Sequence, residues 1–275
     1  MTPKALLIAI ARLQESLAET HAQLIEGAPD ALHRLRICLR QLRSLIKPVA
    51  RKPPFKALYE SSQALADITN PVRELEVLVG ELQDRQSPAA VPRAAALPQA
   101  YEGILRHPAL NNFQAELDAF VGQTRKRDLP GKRQLKAKIK RSMDGWQDGI
   151  QQALKDGAAE NVRDADGGLT LPETERHRLR ILVKRLRYTL AAFDSDVPKP
   201  LRTRLKSAQD SVGNWHDRLN WLAQAANASD LVNLVPQWES DLQHYAREAD
   251  ASLLALKKPL KQWARSTNAP RRKRR

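Results

Sequence analysis

Residues 33 to 43 read His33-Arg34-Leu35-Arg36-Ile37-Cys38-Leu39-Arg40-Gln41-Leu42-Arg43, and residues 177 to 187 read His177-Arg178-Leu179-Arg180-Ile181-Leu182-Val183-Lys184-Arg185-Leu186-Arg187. Seven of the eleven positions are identical, at a constant offset of 177 − 33 = 144. At about 100° per residue, His33, Arg36, Arg40, Arg43 and Lys47 fall within an arc of roughly 80°, opposite Leu35, Leu39, Leu42 and Ile46. The second copy sets His177, Arg180, Lys184 and Arg187 opposite Leu179, Val183, Leu186 and Leu190. Each copy is therefore a helix with one packing face and one charged face. Two parts of one chain solve the same physical problem.

The surrounding sequence extends this helical reading. Long segments rich in Leu, Ala, Arg, Lys, Gln and Glu carry apolar residues at spacings of three and four, and β-branched alternation is absent. The expected class is all-α. Breaks at Gly27-Ala28-Pro29, Pro48 with Pro53-Pro54, Ser87 to Pro98, Pro130-Gly131, Gly157 to Pro172, and Pro198 with Pro200 predict helices near 3–26, 30–47, 55–85, 99–128, 131–158, 173–194, 200–227 and 231–266. Asn70-Pro71, Gly213 and Pro236 are places where the longer ones can kink or split. At the offset of 144, Asn70, Leu75 and Leu78 match Asn214, Leu219 and Leu222. An internal duplication into two four-helix units is the simplest architecture. The first repeat is expected at about 3–128 and the second at about 131–266, with the boundary between units in Gly157 to Pro172, and 267–275 as a basic disordered tail ending Pro270-Arg-Arg-Lys-Arg-Arg275.

Charge narrows the partners. Lys and Arg number 46 against 31 Asp and Glu in 275 residues, a formal net charge of +15, which favours anionic partners without choosing among them. The single cysteine, Cys38, excludes an internal disulfide and a cysteine-based zinc cluster and fits a reducing compartment, with the cytoplasm as the default expectation. The Ala5 to Ala11 run is interrupted at Arg12, and Leu6, Ile10, Leu13, Leu17 and Leu24 continue a helical stripe, so the first segment reads as an amphipathic helix rather than a secretion signal. No apolar run approaches the roughly 20 residues needed to span a bilayer.

The two faces carry the chemistry. Like charges at i,i+4 cost a few tenths of a kcal/mol each, yet residues 31 to 52 and 176 to 193 contain no acidic residue. The imbalance must be met by other helices, by solvent or by an external anion. Arginine's planar fork donates two bonds to one phosphoryl group, lysine adds a less directional charge, and histidine gains charge as an anion approaches. A rise of about 1.5 Å per residue puts about 15 Å between His33 and Arg43, a length suited to several consecutive phosphates rather than one small substrate. A further basic segment holds Lys136 and Lys140, which read first as a solvated face and second as extra anion contacts. Arg34, Arg178 and Arg185 lie off the main stripes.

Other uses of these residues fare less well. Each histidine is ringed by cations, which oppose a divalent metal, and neither has a second His four residues away to chelate one. There is no glycine-rich phosphate loop, serine elbow or His-Glu-x-x-His helix, so binding without cleavage is expected, with neither catalytic residue nor cofactor. Nucleic acid remains the alternative, since phosphate contacts dominate its affinity. Single-strand binding normally adds stacking aromatics, but aromatics are 5% of the chain, and Tyr188 alone lies near a stripe. Trp146, Trp215, Trp221, Trp238 and Trp263 sit at core spacings. His21, His107, His216 and His244 lack a repeated context and read as ordinary surface or packing residues.

Taken together, the paired His-x-x-Arg-x-x-x-Arg/Lys stretches resemble the CHAD family, the conserved histidine α-helical domain. Arg73-Glu74-Leu75-Glu76-Val77-Leu78 looks like that family's Arg-Asp-Leu-Asp segment, and Leu205 to Asp210 with Gly213 looks like its Leu-Gln-x-x-Leu-Gly segment. Gln41 departs from a usual paired basic residue, and Asp217-Arg218 reverses the charge order of Arg73-Glu74. The resemblance covers about 3–266. It implies two pseudo-symmetric four-helix bundles around a basic central channel that binds inorganic polyphosphate, with association to polyphosphate granules. Carried onto this chain, the channel residues are His33, Arg36, Arg40, Arg43, His177, Arg180, Lys184 and Arg187; apart from the resemblance, Lys47, Arg73, Lys136, Lys140 and Tyr188 are further candidates for anion contact. Family members are often fused to a triphosphate-tunnel domain marked by Glu-x-Glu-x-Lys, and Glu74-Leu75-Glu76-Val77-Leu78 lacks that lysine.

Overall fold

In a computed structural model, residues 1–125, 128–159, 170–193 and 197–268 are described. They contain ten α-helices: α1 Pro3–Ile25, α2 Ala31–Ile46, α3 Phe55–Asp84, α4 Ala90–Arg106, α5 Pro108–Gln123, α6 Lys132–Ala159, α7 Glu173–Ala192, α8 Lys199–Ala225, α9 Val235–Leu254 and α10 Lys257–Asn268. Among the described residues there is no strand. One pair of starts matches the sequence offset: α3 begins at Phe55 and α8 at Lys199, a difference of 199 − 55 = 144.

Two expected helices are corrected. The segment 99–128 is not one helix, and Ser87 to Pro98 is not an extended break, because helix resumes at Ala90. Pro92 occupies the first turn, where an N–H has no intrahelical acceptor, and Pro98 lies on the exposed side of the helix. The chain bends instead at His107, held extended (φ −74°, ψ 132°) ahead of Pro108. His107 Nδ1 accepts from Ala109 N at 3.1 Å and caps α5. The segment 231–266 likewise divides into a 3-10 stretch at Ser229–Leu234, α9 and α10. Pro259, third in α10, cannot continue α9. By contrast, α3 runs through Pro71 and α8 through Gly213.

Two compact units divide within α6, Met1–Lys140 and Arg141–Arg275. The expected boundary at Gly157 to Pro172 is therefore displaced; residues 160–169 of it, and 269–275 of the expected tail, lie outside the described residues.

In the first unit, α2 packs between α1 and α3, and α5 closes against α3 and α1 while α4 lies on α3. A left-handed Gly27 (φ 68°) ends α1, with Ala28 N donating to Gln23 O at 2.9 Å and Gly27 N to Leu24 O at 3.2 Å. That turn needs glycine, and it sends the chain directly into α2. Leu35, Leu39, Leu42 and Ile46 are buried as expected, as are Leu6, Ile10, Leu58 and Leu65. Phe55 meets Phe120 edge to face at 5.0 Å between ring centroids.

In the second unit α7 and α9 pack on α8. Leu179, Val183, Leu186 and Leu190 on α7 join one core with Ile150, Leu154, Leu205, Leu253 and Trp263. At Gly157 an added Cβ would lie 2.7 Å from a terminal methyl carbon of Leu171, so a larger residue there requires that side chain to shift. Arg176 and Asp250 form a buried two-bond ion pair, Nε to Oδ1 at 2.9 Å and Nη2 to Oδ2 at 2.9 Å. Leu171 N also donates to Asp250 Oδ2 at 3.1 Å, and Arg176 Nη2 to Leu171 O at 2.8 Å. Burying such a pair opposes folding unless its geometry is good and further hydrogen bonds help to satisfy it, and here Leu171 N and O supply two of them. Position 176 − 144 = 32 is a buried leucine in the first unit, so this fastening belongs to one half only.

Candidate functional site

Leucine burial on one side of α2 turns the charged stripe outward along α3. Arg36 is half-buried and its guanidinium bridges to α3: Nη1 donates to Ala66 O at 3.0 Å and Thr69 Oγ1 at 2.8 Å, and Nη2 to Asn70 Oδ1 at 2.8 Å. Burial, then Arg40 and Arg73, push its pKa down to about 10, so it stays charged at neutral pH. Its acceptors are all neutral, which fixes the fork without cancelling its charge.

Further along the face, Lys47 Nζ donates to Tyr59 OH at 3.0 Å and stands 4.5 Å from that ring's centroid, with Arg43 5.8 Å from the same centroid. Burial raises the Tyr59 phenol, but the hydrogen bond and charge of Lys47, with Arg43, outweigh it and leave the pKa lowered. His33 has a lowered pKa, first from burial and then from Arg73 and Arg40. Asp30 and Glu76 act in the opposite direction. Arg40 is half-buried on the same face.

Arg73 is already engaged. Its Nη1 lies 2.9 Å from Glu76 Oε2, and Tyr101 OH donates to Glu76 Oε1 at 2.7 Å. Burial and Glu76 push the Tyr101 phenol upward. Arg73 therefore serves the face mainly through its field and through holding Glu76, while Lys136 and Lys140 stand exposed on α6, a separate helix.

On α7, His177 is exposed, and Arg180, Lys184, Arg187 and Tyr188 are partly buried. Arg187 Nη1 donates to Gln209 Oε1 on α8 at 2.9 Å, and its guanidinium carbon lies 5.2 Å from the Tyr188 centroid. The off-stripe residues behave differently: Arg178 pairs with Glu175 at 3.3 Å and Asp156 at 3.6 Å, and Arg185 stacks over Trp146 at 5.1 Å. Among the described residues, no carboxylate forms an ion pair with His33, Arg36, Arg43, Lys47, His177 or Arg187.

His216, which the sequence left as an ordinary surface or packing residue, stands beside the second stripe. Its ring centroid lies 5.8 Å from that of His177 and 6.2 Å from that of Trp215. Burial, then Arg180, His177 and Lys184, push its pKa down to about 4. Tyr59, Thr69 and Gln209 were also missed. Only the recurrence of Asn70 at Asn214 pointed to the acceptor side of these faces; the others require knowing which helix lies beside α2 or α7. The remaining histidines keep ordinary roles, His21 beside Gln114 at 3.0 Å, His107 as a cap and His244 beside Glu248 at 3.5 Å. Trp215, Trp221, Trp238 and Trp263 are buried.

Among the described residues, no group of three or more His, Cys, Asp or Glu is placed to hold a metal ion, and no helix is long and apolar enough to cross a membrane.

Comparison with known proteins adds three findings. The family model of the CHAD domain matches residues 8–226. The uncharacterized protein Rv2226 of Mycobacterium tuberculosis is 28% identical over 263 residues, covering 85% of this chain and 49% of that protein, so the chain spans about half the length of this curated relative. Among solved structures, the crystal structure of the CHAD domain from the plant Ricinus communis aligns with a TM-score of 0.69 at 20% identity, covering 95% of this chain and 92% of that one. PptA from Streptomyces chartreusis aligns with a TM-score of 0.54 at 15% identity, covering 96% and 99%. At these identities the structural likenesses speak to the all-α fold.

Proposed function

The chain belongs to the CHAD domain family, and from that premise we propose that it binds inorganic polyphosphate along the charged faces of α2 and α7. The observation that carries the reading is the set of partners held by the basic side chains. Arg36 is fixed by Thr69, Asn70 and a backbone carbonyl, Lys47 by Tyr59, and Arg187 by Gln209. Neutral partners orient a cation while leaving its charge for an external anion. Carboxylate partners would have cancelled it.

Repeated arginine forks suit a chain of phosphoryl groups, and fixed cations without a positioned nucleophile retain phosphate rather than cleave it. Such binding would carry the protein to polyphosphate granules. Nucleic acid offers the same phosphate charge but also bases to stack. Four of the five tryptophans are buried, and Tyr59 and Tyr188 already lie against Lys47 and Arg187.

Titration of long-chain polyphosphate and of DNA carrying equal charge, at one physiological ionic strength, tests the proposal. Tighter binding of polyphosphate is expected. Tighter binding of DNA would reject the reading in favour of a nucleic-acid protein.

A further inference from the structure

The two faces are not equivalent, and the difference lies on the helix beside each stripe. In the second unit His216 on α8 stands against His177 on α7, ring centroids 5.8 Å apart. At the matching position of the first unit, 216 − 144 = 72, α3 carries Val72. We propose that His216 is a further anion ligand of the second face and that polyphosphate binding there brings a proton onto the His177–His216 pair. This rests on the polyphosphate reading above.

The charges acting on His216 are Arg180, His177 and Lys184, all on α7 and all cationic or able to become so. The α9 helix also packs on α8 but adds no charge to that set. With no anion present, a proton on His216 would be repelled from one side and poorly hydrated on the other, and its lowered pKa expresses both effects. A polyphosphate on this face reverses the first effect, because its charge exceeds that of the arginine and lysine it contacts. Proton uptake and anion binding must then be linked, each favouring the other.

Local hydrogen bonding permits both protonation states. Asn220 Nδ2 and His216 Nδ1 lie 3.2 Å apart. When Nδ1 accepts from that amide, Nε2 carries the hydrogen and can donate to a phosphate oxygen. When the ring takes a second proton, rotation of the Asn220 amide presents its oxygen to Nδ1–H. Trp215 on the same helix is buried and keeps one side of the imidazole away from water. In the first unit His33 has no second imidazole in this position, so uptake there is smaller.

Calorimetric titration of the full chain with long-chain polyphosphate, at fixed ionic strength in buffers of different ionisation heat, reads the proton count directly. The wild-type chain is expected to take up protons below neutral pH and to gain about tenfold in affinity from pH 8 to pH 5.5, the effect of raising the His216 pKa from about 4 back to its ordinary value of 6.5. His216→Gln is expected to lose most of the proton uptake and most of the gain at low pH, and to bind more weakly than wild type throughout because a phosphate ligand is gone; loss of proton uptake is a change that a merely structural role does not give. A second measurement needs no variant: the NMR titration midpoint of the His216 imidazole should rise when polyphosphate is added. Unchanged uptake in His216→Gln, or an unmoved midpoint while polyphosphate binds, overturns the role of His216 alone. Failure of the wild-type chain to bind polyphosphate overturns both readings.

Discussion

Arg36 Nη2 on α2 donates to Asn70 Oδ1 on α3 at 2.8 Å, and Nη1 of the same guanidinium reaches Thr69 Oγ1 at 2.8 Å. One side chain thus ties two helices together and aims a positive charge along the face between them. Replacing it tests both roles. Arg36→Gln should lower unfolding free energy by about 2 to 3 kcal/mol, at roughly 1 kcal/mol per lost hydrogen bond, and should also weaken polyphosphate binding. Arg36→Lys should keep part of the binding and recover little of the stability, because an ammonium cannot reproduce the fork. Urea denaturation and polyphosphate titration of both variants separate the two effects.

The Arg176–Asp250 pair makes a different demand. Both side chains are buried, so Asp250→Ala leaves an unpaired guanidinium and an unsatisfied Leu171 N–H, at a cost of about 3 to 5 kcal/mol. Replacing Arg176 and Asp250 together by Leu should recover part of the loss, since Leu32 fills the matching position of the first unit. Chemical denaturation of the single and double variants provides the comparison.

Acid should destabilise the ligand-free protein. The pKa of His216 falls from 6.5 in the unfolded reference to about 4 on folding, through burial first and then Arg180, His177 and Lys184. His33 and His21 move the same way, His33 through burial, Arg73 and Arg40, and His21 through burial. Between those values the unfolded chain binds more protons, so stability rises with pH. The contribution of His216 is whole above pH 6.5 and is lost as pH falls toward 4. Urea midpoints between pH 7.5 and pH 5 should decline, and saturating polyphosphate should flatten that decline by favouring the protonated rings.

How much of this was legible beforehand follows from what periodicity can see. The opposition of Leu35, Leu39, Leu42 and Ile46 to His33, Arg36, Arg40 and Arg43 is a property of one helix, and those leucines and Ile46 are buried. The His107-Pro108 bend was missed because prolines at 92 and 98 looked like stronger breakers. They are tolerated by position and exposure, which composition does not reveal. Tyr59, Gln209 and His216 escaped for another reason: each acts across an interhelical contact, and their spacing along α3 and α8 carries no mark of the neighbour. Arg73 shows the converse, a cation legible in sequence whose pairing with Glu76 depends on rotamers.

Ligand length should matter. A face about 15 Å long from His33 to Arg43, at about 1.5 Å per residue, offers several cations to successive phosphates. Pyrophosphate should therefore bind at least about tenfold more weakly than long-chain polyphosphate, a difference of about 1.4 kcal/mol. Titration with a series of defined chain lengths checks this, and equal affinity throughout would confine recognition to a single small site.

Combined replacement of Arg40, Arg43, Lys184 and Arg187 by glutamine probes the two faces themselves, with deletion of residues 270–275 as the comparison. By equilibrium titration at physiological ionic strength, the four-residue variant should lose at least about a hundredfold in affinity for long-chain polyphosphate, about 2.8 kcal/mol in all, with its helical circular dichroism retained. The tail deletion should lose less. Undiminished binding by the folded four-residue variant would contradict the assignment of α2 and α7 as the binding faces.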